Sequence, residues 1–170
     1  MLDDAGTIKQ LLSKPLRPGV VEWIGLSAER QAEITPVGTA TARVGTGLDG
    51  DHHSTRRKGG KRQVTLIQAE HLAAVASFLG IDAIDPADLR RNVVVRGINL
   101  LALKERQFRI GGDAGPLLEG TGPCAPCSRM EETLGEAGYA AMRGHGGLTA
   151  RVLEEGTFGV GDRVTAVTDE

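Results

Sequence analysis

Aromatic residues are scarce: one Trp, one Tyr and three Phe make up 3% of the 170 residues. Without rings to stack on, a platform for single-stranded nucleic acid is excluded, and a core has to come from Val, Leu, Ile and Ala. Cysteine is nearly absent too. Two thiols cannot build the disulfide framework of a small secreted domain. No apolar run approaches the ~18 residues of a membrane span. The formal net charge is only −2, which argues against broad electrostatic capture of nucleic acid. The start, Met1-Leu2-Asp3-Asp4, lacks the basic and apolar regions of a signal peptide. The expectation is a soluble cytoplasmic protein with neither nucleic acid nor membrane as partner.

Glycine, by contrast, is abundant: 24 residues of 170, about twice the usual ~7%. So many glycines call for tight turns, bulges and close backbone approaches. The apolar fraction is 40% and the charged fraction 25%, the balance of a globular chain rather than a disordered one. The length suits a single domain, 1–170, and a chain of this size buries roughly 68–70% of its unfolded surface without a structural metal. There is no internal repeat.

Hydrophobic period and breakers predict the elements. Ile8, Leu11 and Leu12 share a face in a short helix over 7–12, ended by Pro15 and Pro18. Strands are predicted over 19–26, 37–44, 63–67, 92–96, 107–110, 115–119, 148–154 and 163–167. The clearest helix runs over 68–79, where Leu72, Val75, Ala76 and Leu79 recur at helical spacing and Gly80 supplies a left-handed stop. Asp85-Pro86 opens a helical turn that continues to Arg91, and a helix is predicted over 124–134. The segment Gly45-Thr46-Gly47-Leu48-Asp49-Gly50-Asp51-His52-His53 is expected to be a loop. Strands do not alternate regularly with helices, which disfavours a doubly wound parallel sheet. The predicted fold is mainly β: a barrel of roughly seven short strands with two or three helical insertions.

Three groups of residues invite chemistry. Cys124-Ala125-Pro126-Cys127 admits a redox pair, half of a zinc site completed by His145, or one reactive thiolate. The last is favoured by Arg129 and a following helix, both of which lower a thiol pKa; two buried small hydrophobes are the plain alternative. Asp51, His52 and His53 suggest a metal, but adjacent side chains of an extended segment point to opposite faces, and a polar loop capped by Asp51 is equally good. Arg56, Arg57, Lys58, Lys61 and Arg62, with Arg90 and Arg91, form a local positive field in an acidic chain. Arginine forks match phosphate oxygens, and Gly59-Gly60 lets backbone N–H groups approach an anion. No GxxxxGK[ST] loop is present. In Gln68-Ala69-Glu70-His71, Glu70 and His71 are read as the polar face of a helix, not a metalloprotease pair.

Several segments, in order, resemble the molybdenum-cofactor sulfurase C-terminal, or MOSC, family. They are Gly47-Leu48-Asp49-Gly50-Asp51-His52-His53, Val64-Thr65-Leu66-Ile67-Gln68-Ala69-Glu70, the stretch from Asp88 through Arg90-Arg91-Asn92 to Leu100, the Pro-Cys steps, and Gly159-Val160-Gly161-Asp162-Arg163-Val164. The resemblance covers about two-thirds of the chain, from near Gly45 to Val167, and looks like that of a small stand-alone member. It implies a β-barrel with peripheral helices. It also implies a cysteine after a Pro step that carries persulfide sulfur or ligates molybdenum in a bound pterin cofactor. Cys127 is favoured for that role over Cys124. Arg56, Arg57, Arg62, Arg90 and Arg91 would hold the cofactor's phosphate, with Asn92, Asp51 and His52 in the same pocket. Pyridoxal phosphate belongs to the family only through desulfurase domains. This chain has no such lysine motif, so its sulfur would come from a partner such as a cysteine desulfurase. The alternatives are a metal-binding hydrolase or zinc-stabilised domain using Asp51, His52, His145 and the cysteines, and a non-enzymatic module that binds an acidic partner through its basic loop.

Overall fold

The structure is a computed structural model that describes residues 4–55 and 58–168. Helix α1 (Asp4–Leu12) leads into β1 (Gly19–Leu26), followed by β2 (Thr35–Val37), β3 (Thr39–Arg43) and β4 (Gly47–Leu48). Strand β5 (Val64–Gln68) runs straight into α2 (Ala69–Leu79), which returns to β6 (Val93–Arg96). Then come β7 (Gln107–Ile110), β8 (Leu117–Pro123), α3 (Arg129–Leu134), α4 (Gly138–Met142), β9 (Leu148–Glu154), β10 (Gly156–Gly159) and β11 (Arg163–Ala166). Short 3-10 turns occupy His52–Thr55, Pro86–Leu89 and Leu100–Leu103.

Seven strands close into a barrel in the order β11-β7-β8-β9-β5-β6-β1, the ring completed by pairing of β1 with β11. All neighbours are antiparallel except β5 and β6, the pair joined by α2, since a parallel pair needs a crossover. Strand β1 does triple duty. It pairs with β11 at Gly19 and Val20, with β6 from Val20 to Ile24, and with β2 from Ile24 to Leu26. A register shift between Val21 and Trp23 bends it into these roles. Strands β3, β4 and β10 form a separate three-stranded sheet.

Side-chain alternation divides the apolar residues into two clusters. Val21, Leu66, Val93, Val95, Phe108 and Leu118 fill one core. Ile67 and Val94, one residue out of phase, join Val75, Ala76, Leu89, Met130 and Met142 in a second. That is why β5 is buried at all five positions: it is covered on both faces. Each fully buried Leu, Ile or Val contributes about 1.5–3 kcal/mol relative to exposure.

Several predicted boundaries are corrected. The strand expected over 37–44 is split at Gly38, whose carbonyl accepts from Val160 N–H at 3.0 Å, so β2 and β3 join different sheets. The loop expected over 45–53 contains β4, where Gly47 has φ +117° and lies so close to Gln63 O that a Cβ would sit 2.4 Å away. The helix expected over 124–134 starts only at Arg129, because Pro126 follows an extended run held by strand pairing. The expected barrel of about seven strands is the closed seven-strand ring; outside it, β2 and the three-stranded sheet bring the described residues to eleven strands, with four helices where two or three were expected.

Candidate functional site

The Pro-Cys segment leaves the barrel at the end of β8. Cys124 still belongs to the ladder: its N–H donates to Gly147 O at 2.8 Å. The facing loop has to be glycine. A Cβ on Gly146 would stand 1.9 Å from Cys124 O, and one on Gly147 (φ +94°) 1.9 Å from Leu66 O. Beyond Cys124 the chain runs irregularly to Ser128. Cys124 is buried and Cys127 exposed, both as free thiols. Cys127 O accepts from Met130 N–H at 3.0 Å, which ties the thiol-bearing residue to the first turn of α3. That helix has six residues, too short for a substantial macrodipole at its start.

Arg91 is the electrostatic centre. Its side chain is 3% exposed. Nε donates to Gly146 O at 2.9 Å and Nη1 to Leu89 O at 2.8 Å. Nη2 is buried with no hydrogen-bond partner. Burial pulls the guanidinium below its ordinary pKa, Cys124 opposes that, Arg62 adds to it, and Cys127 opposes it. Both thiols and Arg62 thus act on one buried cation.

Cys127 opens into a cleft of about 340 Å³ lined also by Arg30, Arg62, Arg90, Arg91 and Arg129. His52 joins this wall, and among the described residues no Asp or Glu does. Arg62 and Arg30 are exposed and Arg129 is half-buried. Arg90 sits in the left-handed region at φ 57° as the cap of the Pro86–Leu89 turn. Its guanidinium donates to Ala32 O at 2.7 Å and Arg30 O at 2.8 Å, so it clips the 27–32 loop to the cleft and carries Arg30 there. Gln63 anchors the basic loop: its Nε2 donates to Gly60 O at 2.8 Å and its Oε1 accepts from Val152 N–H at 2.9 Å.

Asp51 and Asn92 are placed otherwise than as pocket lining; each is 2% exposed. Asp51 Oδ1 accepts from Ser27 N–H at 2.9 Å and from Asn92 Nδ2 at 3.2 Å. Asn92 also donates to Gly25 O, and its Oδ1 accepts from Thr65 N–H at 3.1 Å. The pair forms a polar rivet joining β1, β5 and β6 under the cleft. His52 Nδ1 lies 3.7 Å from Asp51 Oδ2, which sets the rivet against the cleft wall. Arg56 and Arg57 lie outside the described residues; Lys58 and Lys61 are exposed.

His145 is elsewhere. Its ring packs edge-on against His71 at 4.8 Å and near Phe78 at 5.5 Å. Among the described residues no three His, Cys, Asp or Glu side chains come together as a metal site, so the set Asp51, His52, His145 and the cysteines is not assembled. Arg30 and Gly146 were not singled out from the sequence. The loop that carries Arg30 has no periodic pattern, and the only signal for Gly146 is its place in a Gly-rich run.

Barrel, glycine-backed Pro-Cys segment and arginine-lined cleft define a class. Residues 49–165 match the family model of the MOSC domain, and the chain belongs to that family. Its fold is similar to crystal structures of YuaD from Bacillus subtilis and of YiiM from two bacteria. YuaD is 20% identical with a TM-score of 0.77, over 92% of this chain and 99% of that one. YiiM from Geobacillus stearothermophilus is 17% identical with a TM-score of 0.67, over 88% and 75%. YiiM from Escherichia coli is 17% identical with a TM-score of 0.66, over 89% and 71%. No curated protein sequence matches the chain significantly. No helix among the described residues is long and apolar enough to cross a membrane.

Proposed function

We propose that this MOSC-domain protein binds the molybdenum cofactor in the arginine cleft, with Cys127 as the thiol that meets the metal. The observation that carries the proposal is one exposed thiol sharing a cleft, among the described residues, with five guanidinium groups and no carboxylate. The donor chemistry fits the group. A thiolate is a soft ligand suited to molybdenum. Arg30, Arg62 and Arg129 present forks to a phosphate without competing acids. Buried Nη2 of Arg91, lacking a partner, is a donor that an anionic ligand or thiolate would satisfy. When bound, the cofactor would supply two-electron redox chemistry at molybdenum. The chain's own part is to hold the phosphate, keep Cys127 among cations and fix the cleft floor through Arg91.

A second reading rests on the exposure of Cys127 in an irregular segment. A partner desulfurase could present its persulfide there. The Cys127 thiolate would attack the outer sulfur, a new S–S bond would form on Cys127, and the donor would leave as its own thiolate. Both readings are tested on the purified protein. It is mixed with molybdenum cofactor and, separately, with a cysteine desulfurase and cysteine. Bound molybdenum or a mass gain of one sulfur is expected for the parent and for Cys124→Ser, and neither for Cys127→Ser. If the parent takes up neither, or Cys127→Ser behaves as the parent, the proposal fails.

A further inference from the structure

A second cavity, of about 390 Å³, runs along the same Pro-Cys segment yet shares no residue with the arginine cleft. Its size is that of a small-molecule site. Leu100, Leu101, Pro123, Pro126 and Tyr139 make its walls apolar. Its polar side chains are few: Gln68, whose Oε1 already accepts from Leu100 N–H at 2.9 Å, the Cys124 thiol, His71 and Arg143. Among the described residues no Asp or Glu lines it, and Arg143 stands exposed at its rim without an acidic partner. His71, from the first turn of α2, also lines it, with Nδ1 buried and lacking a hydrogen-bond partner. Burial lowers the His71 pKa, His145 lowers it further, and Glu70 opposes them. The imidazole is therefore held neutral, a hydrogen-bonding group rather than a second cation.

A flat apolar body would fill the walls, one anionic end would meet Arg143, and no carboxylate in the cavity would repel it. We propose that this cavity is a second ligand site and takes a small aromatic carboxylate, its ring system among Leu101, Pro126 and Tyr139 and its carboxylate on Arg143. The site does not depend on the Cys127 thiol.

The test titrates the ¹⁵N-labelled protein with 2-naphthoate and follows the backbone amides. Saturable shifts are expected at Tyr139, Gly144, Gly146 and Gly147. Arg143→Gln should weaken binding roughly tenfold, as loss of one charge-assisted hydrogen bond does. Neutral 2-naphthamide should bind the parent weaker by a similar factor. Leu101→Trp, at a side chain already 43% exposed, should fill the cavity and abolish the shifts while leaving the rest of the spectrum intact. Cys127→Ser should bind as the parent does. The proposal is overturned if naphthoate gives no saturable shifts, if it shifts the amides around Cys127 and Arg129 instead, or if Arg143→Gln binds unchanged.

Discussion

A buried guanidinium with one silent nitrogen is an unusual thing to keep, and Arg91 keeps it between two thiols and a second arginine. The cost is balanced by two carbonyls, Gly146 O and Leu89 O, which have no other side-chain donor among the described residues. Arg91→Leu should therefore lower stability by about 2–4 kcal/mol, the cost of leaving buried acceptors unpaired, measured from urea unfolding. A loss under about 0.5 kcal/mol would mean that Arg91 is not tied into the fold as described. Asn92→Ala should cost a similar amount, since it strips partners from Asp51, Thr65 and Gly25 together. His71 carries a pH effect whose sign is fixed by its depressed pKa. The unfolded chain takes up a proton near the ordinary histidine value of about 6.5 and the folded chain only below it. In that window the unfolded state binds more protons, so acidification removes stability. Urea unfolding at pH 7.5 and 5.5 should show a smaller drop for His71→Gln than for the parent; equal drops would contradict the assignment.

Among the elements, the Gly144–Gly147 loop decides where the Pro-Cys segment lies. Gly147 combines φ +94° with a backbone neighbour that would meet a Cβ at 1.9 Å, whereas Gly144 has φ +78° and open space around it. Gly147→Ala should cost well over about 2 kcal/mol and Gly144→Ala only about 1–2 kcal/mol, the strain of a left-handed alanine. Urea midpoints of the two variants check the order, and a reversal would contradict the packing. Such distinctions are invisible in the sequence, where both glycines look alike. What was legible were elements with an unbroken period: β1, β7 and β9 have their predicted limits, and α2 ends at Gly80 in the left-handed region. Asp85 caps its turn as expected, accepting from Ala87 N–H at 3.0 Å. Strand β10, Gly-Thr-Phe-Gly, is held by its partner β3 rather than by propensity and carried no signal. Helix α4 begins after Ala137 at φ 69°, a conformation alanine rarely adopts, so it too was hidden. Cys127, Arg62, Arg90 and Arg91 were legible as cleft residues because of their chemistry. The clip role of Arg90 and the rivet role of Asn92 were not, since both depend on which loop folds back on them.

At the level of the whole molecule, the seven-strand ring is closed and only β2, β4 and β10 are edge strands among the described residues, while a second apolar cluster locks the helices over β5 and β6. Trp23 packs on that second cluster, while the barrel strands dominate the β signal of circular dichroism. Because Ile67 and Val94 tie the two clusters through the same strands as Leu66 and Val93, the two probes should trace one coincident urea transition. Separate midpoints would show the helical layer melting on its own. The molecule is slightly acidic overall, with net charge −2, yet its exposed thiol faces a cleft that no acid among the described residues lines. That contrast gives the most direct measurement. Each cysteine is alkylated with anionic iodoacetate and with neutral iodoacetamide, and the sites are read by peptide mass spectrometry. Cys127 should react faster than Cys124. Relative to a free cysteine peptide it should favour iodoacetate, and that preference should shrink with added salt, as screening over ~10 Å at 0.1 M requires, and in Arg62→Gln. A Cys127 with no preference for the anion, or slower than buried Cys124, would contradict the arginine cleft as its working environment.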